Sequence, residues 1–345
     1  MTRSTAGLLD AAFVHLARLS DDTGLFEHAR YATPRREHGY CLDDVARGLV
    51  VLCRQPPSSH LAGSSDPLAE RYLAFVVHAQ SSDGRFRNRL GFDRRWRDEP
   101  GLGDWWGRAL WALGTAAVRS PLPWVREQAM YAFDSGVQQR SPWPRSMAFA
   151  ALGAAEILAA HPAHQGAIDL LTDAAKMIER PEPGSAWPWP EDRLGYANAV
   201  LPEVLIAAGQ LLLDAETGYH GLELLEWLLA TESGPGHLSP TGSQGWHTGL
   251  PRPGFDQQPI EAAALADACA RAFEASGDER WIAGVERAVG WFLGENDRQV
   301  ALHDPGSGGG YDGLHPQGHS VNQGAESTLA LISTLQQGIR IEERR

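Results

Sequence analysis

Apolar positions recur along most of the chain at intervals of three and four residues, the spacing that lines one face of a helix, while strict apolar–polar alternation is scarce. The pattern predicts about twelve helices, over 7–20, 41–55, 66–80, 104–118, 122–138, 145–160, 163–178, 196–212, 217–231, 257–276, 278–293 and 321–338. Several starts carry capping chemistry. Asp66-Pro67 supplies a cap and then a proline in the first turn, where no N–H is needed. Ser141-Pro142 and Pro202 stand near other starts, and Pro56-Pro57 stops the second helix.

The helices fall into two kinds. VARGLVVLC, GRALWALGTAAV, SMAFAALGAAEILAA and IEAAALADACARAF, in the second, fourth, sixth and tenth, are rich in small residues and apolar almost all round. Such helices are buried on every side. The odd ones, such as LAERYLAFVVHAQ and DERWIAGVERAVGWFL, carry a polar stripe. Connections leading from odd to even helices (21–40, 81–103, 179–195, 232–256, 294–320) are long and rich in glycine, tryptophan and polar residues, and the return connections are mostly short. A faint repeat runs through the long ones: DDTGLFEH, SSDGRFRN and GPGHLSPTG, with Gly24 and Gly84 spaced 60 residues apart. Buried helices alternating with amphipathic ones predict an all-α fold, an (α/α)6 toroid of inner and outer rings, with 1–345 as one catalytic domain.

A net charge of −13 argues against nucleic acid or an anionic membrane as the main partner. No apolar run is long enough to span a bilayer, and Asp10 and His15 interrupt the N-terminal segment, so a cytoplasmic protein is expected. Three scattered cysteines, Cys41, Cys53 and Cys269, suggest neither a disulfide framework nor a zinc cluster. Tryptophan is more telling: many of the 12 stand in the loops, where flat rings suit sugar stacking.

In such a ring the starts of the inner helices converge on one rim with their partial positive ends towards it. Read in order they are GYCLDDVARGL, GLGDWWGRALW, SPWPRSMAF, WPWPEDRLGYANAVLPE, GFDQQPIEAAA and HSVNQGAESTL. This set resembles the six-hairpin glycosidase superfamily, which holds inverting glycoside hydrolases, phosphorylases, lyases and sugar epimerases. More narrowly, GYCLDDVARGL, DGRFRN, WGRALWALG, YANAVLPE, FDQQPIEA and NQGAESTL resemble a group of bacterial proteins sometimes labelled glycosyltransferases. That label fits poorly, because neither alternating strands nor a glycine-rich nucleotide turn is present.

Glycoside hydrolysis needs one carboxyl to protonate the leaving oxygen and another to activate water, ~6.5–9.5 Å apart in inverting enzymes. Acids expected at the rim are Asp43, Asp44, Asp104, Glu191, Asp192, Asp256, Glu261, Asp312 and Glu326. Any one of them also suits a helix start as a cap. The Asp43-Asp44 tandem exceeds what a cap needs, and its mutual repulsion calls for a partner such as Arg47. The tandem resembles the stretch that holds the attacking water in some six-hairpin hydrolases, which implies the base side of the pair. Glu326, between small residues inside its helix, is expected to be desolvated and to act as the acid; Asp104 and Glu191 are rivals.

Asn88, Arg108, Asn198, Gln257, Gln258, Asn322 and Gln323 are expected to grip sugar hydroxyls, and Trp106, Trp189, Tyr196 and Trp246 to stack on sugar rings. Arginines 87, 89, 94, 95 and 97 leave room for an anionic sugar or phosphate. His303, Asp304, His315 and His319 match no standard zinc spacing, so no metal and no cofactor is expected. The leading expectation is an inverting glycoside hydrolase acting on a short oligosaccharide or glycoside. The alternatives are a sugar 2-epimerase of the N-acylglucosamine type using His38, His247, His315 or His319, a glycoside phosphorylase, or a non-catalytic carbohydrate-binding toroid.

Overall fold

The computed structural model describes residues 5–55, 66–182 and 184–344. Twelve helices occur among them, in chain order α1 (Thr5–Arg18), α2 (Leu42–Cys53), α3 (Asp66–Ala79), α4 (Asp104–Arg119), α5 (Pro123–Gly136), α6 (Pro144–Ala160), α7 (Gln165–Lys176), α8 (Val200–Leu211), α9 (Ala215–Thr231), α10 (Pro259–Ser276), α11 (Arg280–Leu293) and α12 (Ala325–Glu342). The even helices pack side by side in the order α2, α4, α6, α8, α10, α12, and α12 returns to α2 to close a ring. Around it α3, α5, α7, α9 and α11 each cover the inner helix that precedes them, while α1 covers α12. The double ring is therefore the (α/α)6 toroid that the sequence predicts. No described helix is long and apolar enough to cross a membrane.

Two inner helices approach backbone to backbone. A methyl added at Gly114 would collide with the carbonyl of Gly153, and one at Gly153 with that of Leu110. The small residues of α4 and α6 thus close this seam in a way that side chains would prevent. At the far end, where the inner helices finish, guanidinium groups meet carboxylates. Arg54 binds Asp267 at 3.1 Å, Arg119 binds Glu156 at 2.7 Å and Arg271 binds Glu203 at 3.0 Å. Cations suit helix C-termini, and here they neutralise buried acids around a cavity of about 480 Å³.

Two helix starts lie four residues later than the periodicity predicts, for a common reason. Residues before α12 are extended because Gln323 N–H donates to Tyr31 O and Ala325 N–H to Glu27 O, each at 3.0 Å. Before α8, Ala197 is left-handed (φ 45°), and the Glu261 carboxylate accepts from the N–H groups of Ala197 and Asn198 at 2.5 and 3.2 Å. Long-range bonds thus take backbone groups that a longer helix would use. The second helix ends at Cys53 with Arg54 as its cap; Pro56-Pro57 lies outside the described residues.

The long loops add four antiparallel strand pairs: β1 (Ala29–Arg30) with β2 (Thr33–Pro34), β3 (Tyr40–Cys41) with β4 (Arg89–Leu90), β5 (Arg193–Leu194) with β6 (Trp246–His247), and β7 (Leu314–His315) with β8 (Gly318–His319). Each strand has two residues, too few to show a period of two in sequence. The β3–β4 and β5–β6 pairs tie loops that precede different inner helices, which steadies the rim.

Candidate active site

Two aspartates open α2, and neither caps it. The cap position, Cys41, is extended and supplies no side-chain bond. Asn88, in the next long loop, does that work instead: its Oδ1 accepts from Asp43 N–H at 3.2 Å and its carbonyl from Leu42 N–H at 2.8 Å. Both carboxylates are left to meet Arg47, which lies one turn along the same helix. Its Nη2 donates to Asp44 Oδ1 at 2.6 Å and to Asp43 Oδ2 at 3.2 Å. Its Nη1 donates to Glu326 Oε2 at 2.9 Å, across the seam where α12 meets α2. Arg108 of α4, buried with its guanidinium 4.3 Å above the Phe149 ring, donates a second bond to Asp43 Oδ2.

Three carboxylates therefore share two guanidinium groups, and their environments differ. Asp44 is buried, with 4% of its side chain exposed, whereas Glu326 is 44% exposed. Burial pushes the Asp44 carboxyl up to about 7 against the pull of Arg47, with Asp43, Glu326 and Glu27 adding repulsion. Burial works against the charge of Arg47, but Glu326, Asp44 and Asp43 more than offset it and raise its pKa. Asp43 Oδ1 is buried without a hydrogen-bond partner. A cavity of about 400 Å³ opens over the group, lined also by Glu27, His28, Arg89, Gln258 and Asp312. The expectation that small neighbours would desolvate Glu326 is not met. The buried acid is Asp44.

Asp104 and Glu191 line a different part of the rim. Tyr196 O–H donates to Asp104 Oδ2, and Arg145 of α6 donates to Glu191 Oε1 at 2.5 Å and to Asn198 Oδ1 at 3.0 Å while lying 5.2 Å over the Tyr196 ring. Neither acid faces the cavity above Asp43 and Asp44.

Of the residues expected to bind sugar, Asn88 and Gln258 line that cavity, and Arg108 stands behind it. Others do not line it. Trp106 is fully buried, and Trp189 is buried against Trp227 with ring centres 5.7 Å apart. Trp246 packs edge-on to Trp187 at 5.0 Å. Gln257 is buried, accepting from Trp291 Nε1 at 2.9 Å and donating to Asp297 Oδ2 at 2.5 Å. Asn198 is buried between Arg145 and Glu261. Gln323 is buried, donating to Asp304 Oδ2 at 2.9 Å. Asn322 Oδ1 accepts from Tyr31 N–H at 3.0 Å outside the cavity. A polar side chain next to an inner helix start can face the loops as readily as the mouth, and Gln257, Gln323 and Asn322 take loop partners.

Glu27 and His28 were not singled out as site residues, and Arg89 was named only as one of the arginines that leave room for an anionic sugar or phosphate. DDTGLFEH carried the only signal for the first two, through its likeness to SSDGRFRN. Arg89 pairs with Glu27 across the cavity wall. Glu27, Cys41 and Asp44 bring their ligand atoms within 4.8 Å of one another. Burial, with Asp44 and Asp43 adding repulsion, pushes the Cys41 thiol well above its usual value, so a thiolate ligand is disfavoured there. Among the described histidines His28 alone lines the cavity, and its ring meets His38 edge-on at 4.8 Å. His315 binds Asp256 at 2.6 Å and His319 stacks on Tyr311 at 3.9 Å.

No protein-family model matches the sequence, and no curated protein does. Solved structures do match in shape. A cellobiose 2-epimerase from Bacillus thermoamylovorans B4167 superposes with a TM-score of 0.71 at 9% identity, covering 96% of this chain and 98% of that one. A D-mannose isomerase gives 0.70 at 12% identity, over 99% and 97%. A GH76 α-mannanase from Bacteroides thetaiotaomicron gives 0.65 at 10% identity, over 99% and 97%. The fold is that of the six-hairpin toroids. Hydrolases and epimerases share it, so fold alone does not choose between their reactions.

Proposed function

We propose that this chain is a carbohydrate-active enzyme that hydrolyses a glycosidic bond in a short oligosaccharide or glycoside, with inversion. The observation that carries the reading is the convergence of Asp43, Asp44 and Glu326 on Arg47 beneath an open cavity, with one of the three holding its proton near neutrality. Two carboxyls whose environments divide the proton between them are the parts that glycoside hydrolysis requires.

Roles follow from burial and are the reverse of the sequence expectation. Asp44, protonated below about pH 7, gives its proton to the leaving oxygen as the C–O bond breaks. Glu326, half exposed on the other side of the guanidinium, takes a proton from the water that attacks the anomeric carbon. Arg47 fixes both acids in position, and Asp43, clamped by Arg47 and Arg108, supplies negative charge for the oxocarbenium-like transition state. Hydrolysis of this kind calls on no cofactor.

A panel of gluco- and manno-configured disaccharides and aryl glycosides, followed by proton NMR, tests the reading. The first-formed product will have the inverted anomeric configuration, and both Asp44→Asn and Glu326→Gln will slow its formation by about 10²-fold or more. Retained configuration, or activity that survives both substitutions, overturns it.

One observation favours a second reading, sugar 2-epimerisation: the acids are engaged with arginine while His28 faces the same cavity. That reaction would place deuterium at C2 in D2O and would fail in His28→Ala while tolerating Glu326→Gln.

A further inference from the structure

Tyr31 occupies the first of two turn positions in the β1–β2 hairpin, between Arg30 and its partner Thr33, with φ 53°. This left-handed conformation is where hairpin turns use glycine, and a bulky aromatic there is strained. The strain is not offset by packing of the ring, which is 58% exposed and meets no other aromatic ring among the described residues. The backbone, in contrast, is held on both sides. Tyr31 N–H donates to Asn322 Oδ1 and Tyr31 O accepts from Gln323 N–H, each at 3.0 Å. A strained main chain, fastened at both ends, thus presents a free aromatic face. Strain kept in this way is characteristic of ligand clamps.

That face borders a second open cavity, of about 670 Å³, lined also by Arg30, Arg35, Glu37, Val321 and Asn322. The two cavities share one wall. Segment 27–31 runs against 321–326, tied by Ala325 N–H to Glu27 O at 3.0 Å at the inner end and by the Tyr31 bonds at the outer end. Glu27, His28 and Glu326 face the carboxylate cavity, whereas Arg30, Tyr31 and Asn322 face the outer one. The bonded positions on the facing segment, Gln323 and Ala325, are two residues apart, about 7 Å at ~3.3 Å per residue. One ring on each side of that wall, joined by a glycosidic link, would occupy both cavities.

We infer that the Tyr31 hairpin is a binding subsite for a further, uncharged sugar ring, so that the substrate is an oligosaccharide bridging the two cavities. The inference rests on reading the Asp44–Glu326 cavity as the sugar-cleaving site. The Tyr31 ring supplies the stacking platform, and the exposed guanidinium groups, Glu37 and the amide of Asn322 supply hydroxyl partners.

The test is calorimetric titration of the whole chain, carrying Glu326→Gln to prevent turnover, with gluco- and manno-oligosaccharides of one to four rings. Affinity will rise when the outer cavity is filled. Tyr31→Ala will remove roughly tenfold of that gain, the worth of one aromatic contact, without changing single-ring binding, and Tyr31→Trp will restore it. Tyr31→Gly will weaken binding yet raise the unfolding temperature, an opposition that a merely structural tyrosine would not produce. Equal affinity in Tyr31→Ala, or no binding by any member of the panel, overturns the inference. Tyr31-dependent binding without bond cleavage in the native chain sinks the hydrolase reading and leaves the subsite standing. Cleavage with an unchanged KM in Tyr31→Ala does the opposite.

Discussion

Replacing Asp44 with asparagine will alter how stability depends on pH, by an amount that the site itself sets. In the folded chain the Asp44 carboxyl titrates near 7, against an ordinary value of 3.8 that the unfolded chain regains. Between those values the folded state keeps a proton that the unfolded state has released. Stability therefore falls as pH rises through this window and is lowest above it. Each pH unit is worth about 1.4 kcal/mol, so the whole window amounts to about 4 kcal/mol. Asparagine keeps an oxygen for Arg47 and has no proton to lose. Buried Glu203, Glu232 and Glu261, pushed up to about 7, 8 and 7, impose slopes of the same sign on both proteins and cancel in the difference. Urea unfolding followed by tryptophan fluorescence at intervals from pH 4 to 8 will show wild type losing about 4 kcal/mol relative to Asp44→Asn. A flat difference would mean that Asp44 is not held protonated. A difference that favours wild type increasingly with pH would make it a stabilising ion pair, and the assignment of the proton donor would fail.

Glu326→Gln will cost less than about 1 kcal/mol of stability, because its ion pair with Arg47 is half exposed, but will lower turnover by about 10²-fold or more; parallel denaturation and kinetic measurements check both. Arg47→Met will destabilise the chain by about 3–5 kcal/mol at pH 8 by stranding buried carboxylates. The loss will be smaller at pH 5, where Asp44 carries its proton, and denaturant titration at the two pH values measures the contrast. Gly153→Ala will drive α4 from α6 and cost about 1–3 kcal/mol, read as a lowered unfolding temperature.

The rings were legible because helix packing writes itself into composition. α4 and α6 read as small and apolar all round, and their backbones touch at Gly114 and Gly153. The Asp43-Asp44 tandem and its need for Arg47 were legible from one turn of helix, since i to i+3 and i+4 spacing places those groups together. What α12 adds could be placed only as far as its adjacency to α2. Whether Glu326 or Asp44 is the buried acid depends on how deep each helix sits, which no spacing reports. The fates of Gln257, Asn198 and Gln323 depended on partners such as Asp297, Arg145 and Asp304, distant in sequence and without a pattern of their own. The strain at Tyr31 needs a turn of known length, and a strand of two residues leaves no such trace.

The bond from Arg47 to Glu326 joins residues 279 positions apart in the chain. Its two helices are the first and last of the inner ring, so nearly every other element is made between them. A nascent chain holds Asp43, Asp44 and Arg47 from early in synthesis, yet their third carboxylate emerges only at the end. Contacts of such long range form late, and Asp312, Gly324, Glu326 and Ser327 bring their part of the cavity wall only when this one does. On the proposed mechanism, a chain cut short of α12 would keep Asp43, Asp44 and Arg47 but lack the carboxylate assigned to activate water.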